Sequence, residues 1–171
     1  LDTVRQQWAK RGVSRLNIGI GIHTGDMVVG NMGSHRIFDY TVIGDSVNLG
    51  SRLQGINKIY GTHIIISEDV RRDIPTDIQT RELDFIRVRG KKNPIRIYEV
   101  LTPLPSIEIA AICQHYQEGL KRYRNREWER AAHIFDTIAK QDPAASVLRD
   151  RCRHYLQSPP PTDWNGVFIV P

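Results

Sequence analysis

At Thr102 to Ser106 the hydrophobic period of the sequence changes. Pro103 and Pro105 lack the amide hydrogen that a helix interior or a central strand needs, so no regular element is expected to cross this point. Before it, apolar residues fall in short runs punctuated by glycines. After it they recur only at helical spacing: Ile109, Ile112, Tyr116, Leu120 and Tyr123, then Trp128, Ala131, Ala132, Phe135 and Ile138. A chain of 171 residues with such a break is expected to hold one globular unit at 1–101, a linker at 102–106, a helical region at 107–157 and an extended tail at 158–171.

In the first part, Leu1 to Arg11 reads as a helix end with Val4 and Trp8 on one face, closed by Gly12. Leu16 to His23 alternates Leu16, Ile18, Ile20 and Ile22 with Asn17, Gly19, Gly21 and His23, the pattern of a half-buried strand. Glycine weakens a strand unless something must come close, so tight packing is expected on the Gly19 and Gly21 side. Strands follow at Met27 to Gly30 and Phe38 to Ile43, with Asn31 and Gly33 expected to shape a turn. Asp45 or Ser46 is placed to cap a helix whose buried stripe is Leu49, Leu53, Ile56 and Tyr60, and Gly61 to stop it. His63 to Ile66 reads as a strand buried on both faces, Ser67 to Arg72 as a short helix, and Ile78 to Val88 and Ile95 to Val100 as strands joined by a turn at Gly90 to Pro94. The class is α+β with a mixed or antiparallel sheet.

The second part reads as a small all-α helical hairpin. Gly119, Ala131, Phe135 and Pro143 sit at separations resembling one tetratricopeptide unit, in which a proline ends the second helix. A third helix is expected over about 144–156, with Trp164 and Phe168 available as anchors in the tail. One such unit is too small to form a binding groove, so packing against the first part or a dimer mate is the favoured role.

The stretch richest in chemistry runs from Phe38 to Leu53. A strand delivers Thr41, and the following helix delivers Asn48 and Arg52, four apart and therefore one turn above another beside the Leu49/Leu53 stripe. A guanidinium suits an oxygen that gains negative charge during phosphoryl transfer, and an amide can orient a ribose or phosphate. Alone, such a pair is an ordinary solvated helix flank.

The ordered blocks Leu16 to Gly25, Val29-Gly30-Asn31-Met32-Gly33, Phe38 to Leu53 and Tyr98-Glu99-Val100 resemble class III nucleotide cyclases, the adenylate and guanylate cyclase family. The resemblance implies the C-terminal part of a ferredoxin-like cyclase catalytic domain, in which Asn48 orients the ribose and Arg52 stabilises the pentavalent transition state. It implies that Thr41 reads the base and that Lys91 reaches the triphosphate, although Lys92 beside it could serve. Threonine at the base position, found in a bacterial subgroup, favours ATP over GTP. The implied reaction forms cyclic AMP and pyrophosphate by attack of the ribose 3′-hydroxyl on the α-phosphorus, with two Mg2+ or Mn2+ ions. Family members hold those ions through two aspartates in the N-terminal half of the domain, and a lysine there partners the base reader. None of these lies in this sequence, and Asp26, Asp39 and Asp45 are not substitutes. The expected site residues are thus Asn48 and Arg52 for catalysis and Thr41 and Lys91 for substrate, with no metal ligand. The site is expected to be completed by a second cyclase domain as homodimer mate, and the chain alone to be inactive. Guanylate cyclase, and a noncatalytic regulatory module of the same fold, are the alternatives.

Leu1 is not a methionine and Leu1 to Gly12 carries no secretion signal, so the chain is expected to begin mid-protein. Its helical part resembles the region after the cyclase domain in bacterial membrane-anchored cyclases with an extracytoplasmic sensor, which implies a cytoplasmic portion with spans lying upstream. A net charge of +5 without a dominant basic block gives little support for nucleic acid as a partner. Cys113-x-His115 and Cys152-x-His154 cannot each grip one zinc ion, because residues two apart on a helix point to nearly opposite sides. His23 is expected to be a packing histidine.

Overall fold

The computed structural model of the chain describes residues 7–12, 18–33, 38–101 and 106–170. Of the first expected helix, a turn at 7–9 falls among them, followed by Gly12 at φ 83°. The elements that follow are β1 (Ile20–Ile22), β2 (Val28–Gly33), β3 (Phe38–Ile43), α1 (Asp45–Tyr60), β4 (Ile64–Ser67), α2 (Glu68–Asp73), β5 (Thr80–Arg87), β6 (Ile95–Val100), α3 (Ile107–Arg124), α4 (Trp128–Ile138), α5 (Pro143–Gln157) and β7 (Phe168–Ile169). Five strands form one sheet in the order β1-β4-β6-β5-β7, while β2 and β3 make a separate antiparallel hairpin. The sheet is mixed: β1 runs parallel to β4 and β7 parallel to β5, and β6 is antiparallel to both its neighbours. The fold is α+β with a helical C-terminal part.

Helix α1 buries the expected stripe, Leu49, Leu53, Ile56 and Tyr60, and each apolar side chain so buried contributes about 1.5–3 kcal/mol. Its N-cap is Gly44, with no side-chain bond, rather than Asp45 or Ser46. Gly61 stops it in the left-handed conformation at φ 67°. The helix lies against the glycine face of β1, where a Cβ on Gly21 would stand 2.3 Å from the Gln54 amide nitrogen and 2.4 Å from the Gly50 oxygen. Buried Asn57 ties the two together by donating to the Ile20 oxygen at 3.0 Å. The helix therefore covers the side expected to pack tightly, and the isoleucines of the opposite side, Ile18, Ile20 and Ile22, are exposed. Leu16 and Asn17 lie outside the described residues.

Strand β5 carries a bulge between Glu82 and Asp84. The extra residue shifts the side-chain alternation, so that Arg81 and Leu83, then Asp84, Ile86 and Val88, are all buried. The bulge thereby delivers a carboxylate into the core. Asp84 is fully buried and accepts from the Tyr60 hydroxyl of α1 at 2.6 Å and from Arg151 of α5 at 2.5 Å. Three positions earlier Arg81 bonds Asp142, at the N-cap of α5, and Glu99 of β6. The Tyr116 hydroxyl of α3 donates to the Leu83 oxygen at 3.0 Å. Two of the helices after the proline-rich segment, α3 and α5, are thus fastened to the sheet by buried polar groups, within one continuous apolar core.

Close backbone approach helps. A Cβ on Gly119 would lie 2.7 Å from the Phe135 ring, so glycine lets α3 and α4 pair, and one on Gly61 would lie 2.5 Å from Pro143. Pro143 does not end the second helix as expected; it opens α5 at a position where its missing amide hydrogen costs nothing, with Asp142 capping. The tail is not simply extended either: Phe168–Ile169 adds a strand to the sheet edge. Thr102 to Pro105, most of the expected linker, lies outside the described residues.

Candidate active site

The expected site residues are assembled by the β3–α1 junction and the β5–β6 turn. Asp45, Asn48 and Arg52 stand at intervals of three and four on α1, one stripe along the helix. The turn at Val88 to Lys91 runs beside that stripe and is tied to it at both ends. At one end the Lys91 ammonium meets the Asp45 carboxylate at 2.6 Å and the Asp45 carbonyl at 3.2 Å. At the other the Arg52 guanidinium donates to the Arg89 carbonyl. Exposed Asn48 lies between the two ties, so an ammonium, an amide and a guanidinium follow one another along a single helix edge.

Local sequence explains the arrangement. Gly90 takes φ 77°, a left-handed conformation that glycine adopts without strain, which folds Lys91 back so that its amide bonds the Val88 oxygen at 3.0 Å. A Cβ on Gly90 would sit 3.5 Å from the Arg52 guanidinium. Lys91 is the lysine that turns towards the helix, its side chain 18% exposed, whereas Lys92 is exposed. The hydrogen bond from Lys91 holds the Asp45 carboxyl below its ordinary range. Asp45, expected as a helix cap and not as a metal ligand, meets Lys91 instead; its place on the Asn48/Arg52 stripe is the sequence signal for that.

Thr41 stays on the hairpin. It is exposed on β3 opposite Gly30, and is joined to the helix edge through the chain that turns at Gly44. Asn31 and Gly33 are strand residues of β2 rather than turn residues, paired with Tyr40 and Phe38. His23 is packed: its Nδ1 is 2.8 Å from the Ser67 hydroxyl, and burial lowers its pKa, against the pull of Asp69.

Among the described residues no three His, Cys, Asp or Glu converge as a metal site. Cys152 is a buried thiol pushed up to about 12 by burial. A cavity of about 750 Å³ lies between Arg81, Glu99, Ile112 and Asp142, away from the helix edge, and none of the four expected site residues lines it. Among the described residues no helix is long and apolar enough to cross a membrane.

Three comparisons bear on this geometry. A family model described as the adenylate and guanylate cyclase catalytic domain matches residues 1–102. An adenylate cyclase of Anabaena cylindrica is 43% identical over 102 residues, covering 58% of this chain and 20% of that protein. The terminal-differentiation-specific adenylate cyclase of Dictyostelium discoideum is 30% identical over 148 residues, covering 81% of this chain and 7% of that protein. The crystal structure of the adenylyl cyclase CyaB from P. aeruginosa superposes with a TM-score of 0.52 at 36% identity, covering 59% of this chain and 51% of that one. The chain spans a fifth or less of the length of both curated relatives.

Proposed function

The chain belongs to the adenylate and guanylate cyclase catalytic domain family, and from that premise we propose that it supplies the asparagine and arginine half of an adenylate cyclase site. The observation that carries this reading is the double tie between α1 and the β5–β6 turn, which lines up Lys91, Asn48 and Arg52 on one edge. That order suits a nucleoside triphosphate laid along the helix. Lys91 neutralises the β- and γ-phosphates, and the Asn48 amide orients the ribose. Arg52 donates to the α-phosphate oxygens as charge gathers on them.

In the proposed reaction the ribose 3′-oxygen forms a bond to the α-phosphorus, and the bond from that phosphorus to the bridging oxygen breaks. Pyrophosphate departs and the hydroxyl proton passes to solvent or to a group of the completing half-site. Thr41, with its hydroxyl exposed next to the helix start, accepts a hydrogen bond from the adenine amino group.

The reading needs a second cyclase domain. On β1, Ile20 and Ile22, and on the β2–β3 hairpin, Val28, Val29, Tyr40 and Ile43 are exposed. Large exposed apolar side chains gathered on these strands are in keeping with an interface, and a homodimer mate is the cover they support. Because the metal-holding half of the site is expected from that second domain, the 171-residue chain is expected to form no cyclic nucleotide.

The test is turnover of ATP and of GTP, side by side, by a protein that carries this chain within a whole cyclase domain. Cyclic AMP formed from ATP in preference to cyclic GMP from GTP supports the assignment. Preference for GTP would reassign Thr41, and no turnover of either would favour a noncatalytic module of this fold. Cyclic AMP formation by the 171-residue chain alone would contradict the half-site reading.

A further inference from the structure

The last residues of the chain are held by anchors that lead towards Arg52. Arg126 donates to the carbonyls of Pro160, Pro161 and Thr162 at 2.9 to 3.0 Å. Trp164 packs edge-on to Tyr123 and Tyr155, with ring centroids 5.2 and 5.6 Å away, and donates from its indole nitrogen to the Val167 oxygen at 2.9 Å. Gly166 turns the chain at φ 87°. The Phe168 ring lies 3.4 Å beneath the guanidinium of Arg151, the residue that also pairs with Asp84.

These anchors deliver β7 to one place. Phe168 pairs with Ile86 and Ile169 with Arg87, and the Val170 amide donates to the Arg87 oxygen at 3.0 Å. Two residues beyond Arg87 stands Arg89, whose carbonyl receives the Arg52 guanidinium. Val170 is buried, and it lines a single groove with Arg52, Ile56, Val88 and Arg89. A two-residue strand cannot hold itself in place, because fixing each residue costs backbone entropy that two ladder bonds do not repay. The aromatic and cation anchors offset that cost, and what they secure is the strand end at the foot of the Arg52 turn.

We propose that Val170, brought in by the C-terminal strand, is a positioning residue for Arg52: by closing against Arg87 and Val88 it fixes the 88–91 turn, and through the Arg89 carbonyl it sets where the guanidinium points. The inference rests on the assignment of Arg52 to the transition state. It gives the helical region a part in the reaction, since α3, α4 and α5 supply the cage that places Val170. An arginine side chain has many rotamers, so an oriented acceptor removes wasted orientations before the substrate arrives.

The test uses a whole cyclase carrying this chain, with residues 168–171 deleted, or with Val170→Ala or Val170→Ile, each in the presence and absence of Arg52→Ala. The deletion is expected to lower kcat about tenfold to a hundredfold, as small misplacements of a reacting group do, and to change KM less than about twofold. Val170→Ala is expected to fall between parent and deletion, and Val170→Ile to keep parental kcat. In the Arg52→Ala background the deletion is expected to have no further effect, since the two changes remove one function. In the 171-residue chain, the deletion is expected to speed amide exchange at Val88 to Lys91 while leaving α3 and α4 protected, which also shows that the variant folds. Unchanged exchange at the turn, or the same loss of kcat with and without the Arg52 side chain, overturns the positioning role while the site assignment stands. Parental kcat in Arg52→Ala alone overturns the site assignment and the positioning role together.

Discussion

Replacing Arg151 by methionine tests how firmly the helical region and the sheet are one folded unit. Arg151 is the cation beside Asp84, which is fully buried; its side chain is 6% exposed and also bonds the Tyr60 hydroxyl at 3.1 Å. In Arg151→Met, Asp84 keeps only neutral donors, the Tyr60 hydroxyl at 2.6 Å and the Phe85 amide at 2.7 Å. Breaking one side of a buried ion pair costs about 3–5 kcal/mol, because the surviving charge is left without compensation. With a urea m-value of about 2.5 kcal/mol/M, that loss moves the unfolding midpoint down by roughly 1 to 2 M. The pair itself need not be strongly favourable, since desolvating both ions offsets much of their attraction. Asp84→Asn in the same chain is therefore expected to recover most of the loss, as the amide oxygen still accepts from Tyr60. The assay is urea unfolding of the parent, the single variant and the double variant, followed by far-UV circular dichroism. A single-variant loss below about 1 kcal/mol, or a double variant no more stable than the single, would refute the buried-pair argument.

Gly21→Ala forces a Cβ to within 2.3 Å of helix backbone, and overpacking of this kind costs about 1–3 kcal/mol; Gly30→Ala on the hairpin, where nothing lies within 4 Å of the added carbon, is expected to be tolerated. Equal losses of thermal stability in the two would show that α1 does not rest on β1 as described. His23 titrates below its ordinary 6.5 because burial disfavours the imidazolium. The unfolded chain then binds the proton more readily than the folded one, so this stability is fully present above the unfolded value and lost as the pH falls through the folded one. His23→Asn is expected to flatten that part of the stability profile, and profiles that stay parallel would contradict it.

Much of the fold follows from local pattern. The stripe of α1 at intervals of four, three and four, the limits of β3 and β6, and the stop at Gly61 are set by neighbours in sequence, and the structure places them as expected. What local pattern does not carry is the identity of the neighbour across space. Alternation in β1 marks two faces without saying which one a helix will cover, and here the glycines decide it by admitting the helix backbone. Pro143 is equally compatible with ending one helix and opening the next; the Asp142 cap resolves it. Phe168–Ile169 is too short to show a period, and its pairing with β5 depends on a cage built from three helices. At the site, the shared helix edge of Asn48 and Arg52 follows from their spacing, while the roles expected of them come from the resemblance. The tie between Lys91 and Asp45 spans 46 positions and depends on how the β5–β6 turn folds back, which is tertiary information.

The measurement closest to the central claim is kcat of Arg52→Ala, with Arg52→Lys beside it, in a whole cyclase domain containing this chain. The loss expected for the alanine variant is that of removing one oxyanion donor, about 2.7–4 kcal/mol or roughly 10²–10³ in kcat, and lysine should restore little because it lacks the forked donors. Turnover by Arg52→Ala within about twofold of the parent would mean that the guanidinium beside Asn48 and Lys91 takes no part in the chemistry.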